Sequence, residues 1–216
     1  MKRLTKIVSL VLAVLMLFAV CGCDRSAKTA EKMLALNDDG QTVKDLVGYW
    51  SSYGTVQLQV NEDGTGRFYG TDCSTIDFNG EYLYIEAANG MSFSIQARLF
   101  GDDLVLFDTP YTYNHFSGIA RRFDSGKWSS KGDDYEYSFE FSEGKFVEDG
   151  VYTGSYAVDG DEIVLIYDEC DDYAEGDYSY GLYHIDEDVL SFYYGLPLMR
   201  TTDAPAEQTV SAADAA

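Results

Sequence analysis

Along most of this chain, apolar and polar residues alternate one for one. Thr55 to Val60, TVQLQV, sets Val56, Leu58 and Val60 against Gln57 and Gln59. Tyr135 to Phe141, YEYSFEF, sets Tyr135, Tyr137, Phe139 and Phe141 against Glu136, Ser138 and Glu140. Phe93 to Leu99, FSIQARL, sets Phe93, Ile95, Ala97 and Leu99 against Ser94, Gln96 and Arg98. A period of two sends successive side chains to opposite faces of an extended chain, so each segment predicts a half-buried antiparallel strand. Asp63-Gly64, Asn79-Gly80, Asn89-Gly90, Asp149-Gly150 and Asp159-Gly160 punctuate the pattern with the positive backbone angles that tight hairpins need. Eighteen tyrosines and twelve phenylalanines suit strands better than helices. The predicted fold class is all-β.

The first residues break the alternation. MKRLTK carries three positive charges, and Ile7 to Val20 follows as fourteen residues that are apolar except for Ser9. That run is short of the ~20 residues a spanning helix needs, and with its charged start it reads as a secretory signal. At its exit, VCGC resembles the lipobox of bacterial lipoproteins, with Gly22 in the small position and Val20 three places before Cys23. The resemblance implies removal of residues 1–22 and lipidation of Cys23. Cys21 as the acceptor would put bulky Val20 at the cleavage position, so Cys23 is preferred. Ordinary secretion would leave Cys23 as a free thiol, and a structural zinc site would want four ligands where no matching pair follows. Two or more acyl chains give a stable hold, so the expected location is the cell membrane, lipid-anchored and facing outside the cytoplasm. Residues 23–46 read as a tether with a possible short helix at Thr29 to Leu36, TAEKMLAL. The tail 201–216, TTDAPAEQTVSAADAA, has too few apolar residues to fold alone and is expected to be disordered.

Between these ends the chain repeats itself. VGYWSS at Val47 returns as SGKWSS at Ser125, NGEYLYIEA at Asn79 as DGDEIVLIY at Asp159, and GDDLVLF at Gly101 as DEDVLSF at Asp186. The order is kept while the spacing grows slowly, which predicts an internal duplication into β units at 47–124 and 125–200. On Gly48, Trp50, Asp63 and Gly64, and on Gly126, Trp128, Asp159 and Gly160, each copy resembles the short lipocalin-like repeats of Gram-positive lipoproteins. The resemblance implies antiparallel β-meanders whose tryptophans close the base of each barrel or sandwich. It implies no ligand cup by itself, since a full lipocalin spends a longer chain on one eight-stranded barrel. Two architectures fit: each copy closing into its own small unit, or the two forming halves of one larger barrel. Copies of this length bury only about 60% of their unfolded surface alone, which favours two similar units in contact.

Charge narrows the partners. The chain has 15 basic and 37 acidic side chains, and loss of Lys2, Arg3 and Lys6 with the signal makes the balance still more acidic. Such a surface repels nucleic-acid backbones and anionic headgroups and attracts cations or basic partners. Cys73 and Cys170 are permitted a disulfide by an exported location, though sequence does not bring them together. His115 and His184 sit in predicted strand or loop and read as structural. No Gly-x-Ser-x-Gly elbow, phosphate loop or His-Glu-x-x-His stretch occurs, so no enzyme, metal or cofactor is predicted. Asp168 to Asp177, DECDDYAEGD, departs from a calcium loop at Cys170, Tyr173 and Ser179 and reads as a solvated acidic hairpin. Tyr178, Tyr180, Tyr183, Tyr193 and Tyr194 form a candidate ladder for stacking a sugar or holding a peptide. The functional expectation is a lipid-anchored, extracytoplasmic, non-catalytic binding module for a small-molecule, glycan or protein ligand, with no nucleic-acid partner. The alternative is a structural or protein-interaction lipoprotein of the cell envelope.

Overall fold

The computed structural model of the chain describes residues 26–37, 40–115, 126–131 and 136–204. The signal expected at 1–22, the lipidation residue Cys23 and nearly all of the tail expected at 201–216 lie outside the described residues. Among those residues there are fifteen strands, one α-helix (α1, residues 26–34) and one 3-10 turn at Val43–Leu46. The all-β expectation holds.

Strands β1 (Gly48–Ser52), β2 (Thr55–Val60), β3 (Gly66–Phe68), β4 (Thr71–Phe78), β5 (Tyr82–Ala87), β6 (Ser92–Phe100) and β7 (Asp103–Phe107) pair each with the next. The last strand, β15 (Val189–Thr201), pairs with β7, and its Met199, Arg200 and Thr201 pair with β1. The order returns to its start, so this is a closed eight-stranded antiparallel barrel without a free edge. A second series, β8 (Tyr111–His115), β9 (Gly126–Lys131), β10 (Glu136–Ser142), β11 (Lys145–Glu148), β12 (Tyr152–Asp159), β13 (Glu162–Tyr167) and β14 (Tyr178–Asp186), also pairs in order. Residues 189–194 of β15 then pair with β14 and back to β8.

Two compact units follow this pairing. The first takes the described residues of 38–106 and 197–216, and the second those of 1–37 and 107–196. The division therefore differs from the one expected at 124/125. β8, expected in the first unit, pairs with β9 and β15 of the second; the end of β15, expected in the second, closes the first. Sequence order does not decide which edge a strand completes. The decisive requirement is that its backbone N–H and C=O groups find partners.

In the first unit Trp50, Leu58 and Phe68 lie opposite one another across β1, β2 and β3, and all three are buried. The Trp50 indole donates to the Leu46 carbonyl at 2.7 Å, and the Arg200 guanidinium lies 4.3 Å from the ring centroid. Residues 40–46, expected as part of the tether, are thus built onto the barrel end, because buried Leu46 supplies the acceptor that a buried indole requires. The rest of this core is largely aliphatic: Val60, Ile76, Leu83, Ile85, Leu99, Leu104, Leu106 and Leu198.

The second unit repeats the row with Trp128, Phe139 and Glu148 across β9, β10 and β11. Its core is aromatic, with Tyr113, Trp128, Phe139, Phe141, Phe146, Tyr156, Tyr167 and Phe192. Glycines make room for these rings: a Cβ on Gly154 would stand 2.1 Å from the Ile166 carbonyl and 2.6 Å from the Phe146 ring. The helix expected over Thr29 to Leu36 is found at residues 26–34, and it buries Ala30 and Leu34, one turn apart on one face.

Candidate functional site

The second unit places a carboxylate where the first places a ring. In β11, Phe146 faces the core, and strand alternation turns Glu148 the same way. Glu148 stands opposite Phe139 on one side and Tyr152 on the other. The chain reverses directly after it through Asp149 and Gly150, both with positive φ, at 54° and 69°. The Ser138 amide donates to the Asp149 carboxylate at 2.7 Å and fixes the end of the strand.

Two phenols serve the carboxylate. Tyr167 on β13 donates to Oε2 at 3.0 Å, and Tyr194 on β15 donates to Oε1. Tyr113 on β8 is buried in the same core, and its hydroxyl is linked to that of Tyr194. Tyr173, from the β13–β14 loop, stacks flat on Tyr167 with centroids 3.9 Å apart and an interplanar angle of 6°. Tyr152 meets the Tyr173 ring edge-on at 5.2 Å and donates its hydroxyl to Asp172 at 2.7 Å. These residues gather around Glu148, where β11 turns into β12.

The electrostatics follow from that burial. Loss of water pushes the Glu148 carboxyl above its ordinary range, while the bonds from Tyr194 and Tyr167 pull the other way. Burial also pushes Tyr113, Tyr167 and Tyr194 up, with the nearby Glu148 charge adding to the effect on each. The bond to Asp172 pushes Tyr152 up to about 12. The phenols are therefore held as neutral donors. Among the described residues no lysine or arginine pairs with Glu148, and the bonds from Tyr167 and Tyr194 are the compensation that these residues supply. Hydrogen bonds to charged groups contribute about 1.5–3 kcal/mol each, against a desolvation cost of several kcal/mol for a buried ion.

The first unit has no counterpart. By register Phe68 occupies the place of Glu148, and Ala87, opposite Cys73, the place of Tyr167, opposite Gly154. The same frame is filled in one unit by apolar side chains and in the other by an acid and its donors. Alternation from Phe146 into the Asp149-Gly150 turn was the available sequence signal for an inward Glu148. Among thirty-seven acidic residues a single inward one is inconspicuous.

The tyrosine ladder is corrected. Tyr178 and Tyr180 lie on one face of β14 and Tyr183 on the other, while Tyr194 points inward and its neighbour Tyr193 outward. Only Tyr178 of the five is exposed; Tyr180 is fully buried. Adjacent residues on a strand cannot share a face, so of the ladder only Tyr194 enters the cluster. His115 is buried on β8 with its ring edge-on to Trp128 at 4.9 Å, and His184 is exposed. In the acidic stretch, Asp168 accepts from Thr153 at 2.8 Å and ties the loop to β12, while Asp177 accepts from the Ala174 amide at 2.9 Å within the loop. No group of three or more potential metal ligands occurs among the described residues. Cys73 is buried, Cys170 is exposed, and both are free thiols. No helix among the described residues is long and apolar enough to cross a membrane.

A shallow groove on the first unit, about 420 Å³, is lined by Thr75, Asp77, Tyr84, Glu86 and Phe93 among others. Its polar side chains, which also include Ser92 and Ser94, stand on an open face rather than in an aromatic core. Compared with known proteins, the chain matches no family model, no curated protein and no solved structure.

Proposed function

We propose that this is a non-catalytic binding module, tethered by lipid at Cys23 outside the cytoplasm, that takes its ligand at the Glu148 end of the second unit. One observation carries the reading: an inward carboxylate, bonded by Tyr167 and Tyr194, stands in an aromatic core at the position that Phe68 fills in the first unit. A few convergent polar groups on an apolar wall are the usual make-up of a small-molecule site. The parallel rows through Trp50 and Trp128 support descent of the two units from one duplicated, lipocalin-like segment. The reading gives the phenols beside Glu148 a role as neutral hydrogen-bond donors, the form towards which burial pushes them.

A thermal-shift screen with small molecules tests the binding reading. A ligand is expected to raise the melting temperature of the protein by several degrees and to lose that effect in the Tyr194→Phe or Glu148→Gln variant. Stabilisation that survives both substitutions would move the site elsewhere. For the tether, Cys23→Ala is expected to abolish incorporation of labelled fatty acid and release the protein from membranes; unchanged fractionation removes the anchor from the proposal. The rival reading, an interaction protein of the envelope, draws on exposed Tyr84 and Phe93 beside the first unit's groove. There Phe93→Ser would abolish partner capture, while the Glu148 variants would not.

A further inference from the structure

We propose that the ligand of the Glu148 end is an organic cation, a primary or quaternary ammonium attached to an apolar body. The inference rests on the binding reading above and names the chemistry of that site.

Three observations converge on a positive charge. Glu148 faces the core with two phenol donors and, among the described residues, no lysine or arginine, so a ligand with a positive charge would add an ion pair that those residues do not supply. The surrounding side chains are Tyr113, Tyr152, Tyr167, Tyr173 and Tyr194, whose ring faces carry negative quadrupole density and attract cations. The loop that carries Tyr173 holds six acids from Asp168 to Asp177, and Asp172 is fixed beside the cluster by the Tyr152 hydroxyl. That negative field draws cations toward this end of the unit and repels anions.

The same groups disfavour the other ligand classes. A carboxylate or phosphate ligand would need hydrogen-bond donors, but the hydroxyls of Tyr167, Tyr194 and Tyr152 already donate to Glu148 or Asp172. It would also bring a second negative charge beside Glu148. A neutral sugar would gain from ring stacking but bring no opposite charge to the carboxylate. Tyr173 lies half-buried over Tyr167 from a loop, so it is the ring best placed to move aside and close again over an entering group.

The test is a matched series measured by calorimetry on the purified protein: benzylamine, benzyltrimethylammonium, benzyl alcohol and benzoate. The two cations are expected to bind, the alcohol at least tenfold more weakly, and benzoate not at all. Affinity for the cations should fall at least tenfold in Glu148→Gln and fall again with added salt. Tyr173→Ala, with circular dichroism confirming an intact fold, should weaken benzyltrimethylammonium more than benzylamine, because a quaternary head depends more on ring faces than on hydrogen bonds. Equal binding of alcohol and amine, with no change in Glu148→Gln, overturns cation recognition yet leaves a binding site. Failure of the whole series, together with no hit in the broader thermal-shift screen, overturns both.

Discussion

The two units use one register to opposite ends. Through Trp50, Leu58 and Phe68 the first fills its row with apolar side chains; through Trp128, Phe139 and Glu148 the second ends the same row on a carboxylate. Around Phe68 the neighbours are Ala87 and Cys73 in the adjoining positions and the rings of Tyr69 and Phe93, at 4.6 and 5.9 Å. Around Glu148 they are Tyr152, Tyr167 and Tyr194, two of which donate to it. An apolar core is stabilised by area removed from water and asks little of geometry. A buried acid asks for a donor at each oxygen, so it specifies the identity and position of its neighbours. Burial of apolar area explains the first unit's row and most of its core, although the unit also buries Arg98. The second unit's core carries an expensive group that stability alone does not call for, which is why the site is placed there.

The sharpest way to break this comparison is to move the acid. Phe68→Glu puts a carboxylate into the first unit without phenols to serve it, and it removes a packed ring. A loss of at least about 3 kcal/mol is expected in urea denaturation; a loss below about 1 kcal/mol would mean that the two row ends are not distinct environments. A smaller effect is expected from Tyr173→Ala, which deletes the ring stacked on Tyr167. Aromatic pairs contribute about 0.5–1.5 kcal/mol beyond their area, and a loss of this order in chemical denaturation is expected if the loop stays folded.

The last prediction is a trend with pH. Burial raises the Glu148 pKa above its ordinary value of 4.5. Above that unfolded value, and up to the raised folded one, the native protein holds a proton that the unfolded chain has released, so this group's contribution to stability falls as pH rises through the window. The groups facing it, Tyr194, Tyr167 and Asp149, are two neutral phenols and one acid that also opposes its ionisation. Glu148→Gln cannot titrate. Stability of the wild type minus that of the variant should therefore decline from acid toward neutral pH and level off above the folded pKa. A flat difference would remove the buried charge from the account.

Strand positions and turns are legible because they are set within a few residues, although in FSIQARL the expected faces fail, with Phe93 exposed and Arg98 buried. TVQLQV forms β2 with Leu58 and Val60 buried, and EYSFEF, the described part of YEYSFEF, lies in β10 with Phe139 and Phe141 buried. The five Asn-Gly and Asp-Gly pairs all place glycine at positive φ. These outcomes depend on side-chain alternation and backbone sterics, which neighbours along the chain decide. What the sequence did not disclose is non-local. Nothing in Tyr111 to His115 says that it pairs with β9 and β15, nor does β15 announce that its first half closes one circuit and its last residues another. Strand closure depends on which distant edges are left unpaired, and that is known only once every strand is in place. The candidate site is a mixture of the two. Alternation turned Glu148 inward, but only folding brought Tyr167, Tyr173 and Tyr194 to it from 19 to 46 residues away, because a buried carboxylate takes its donors from wherever the sheet delivers them.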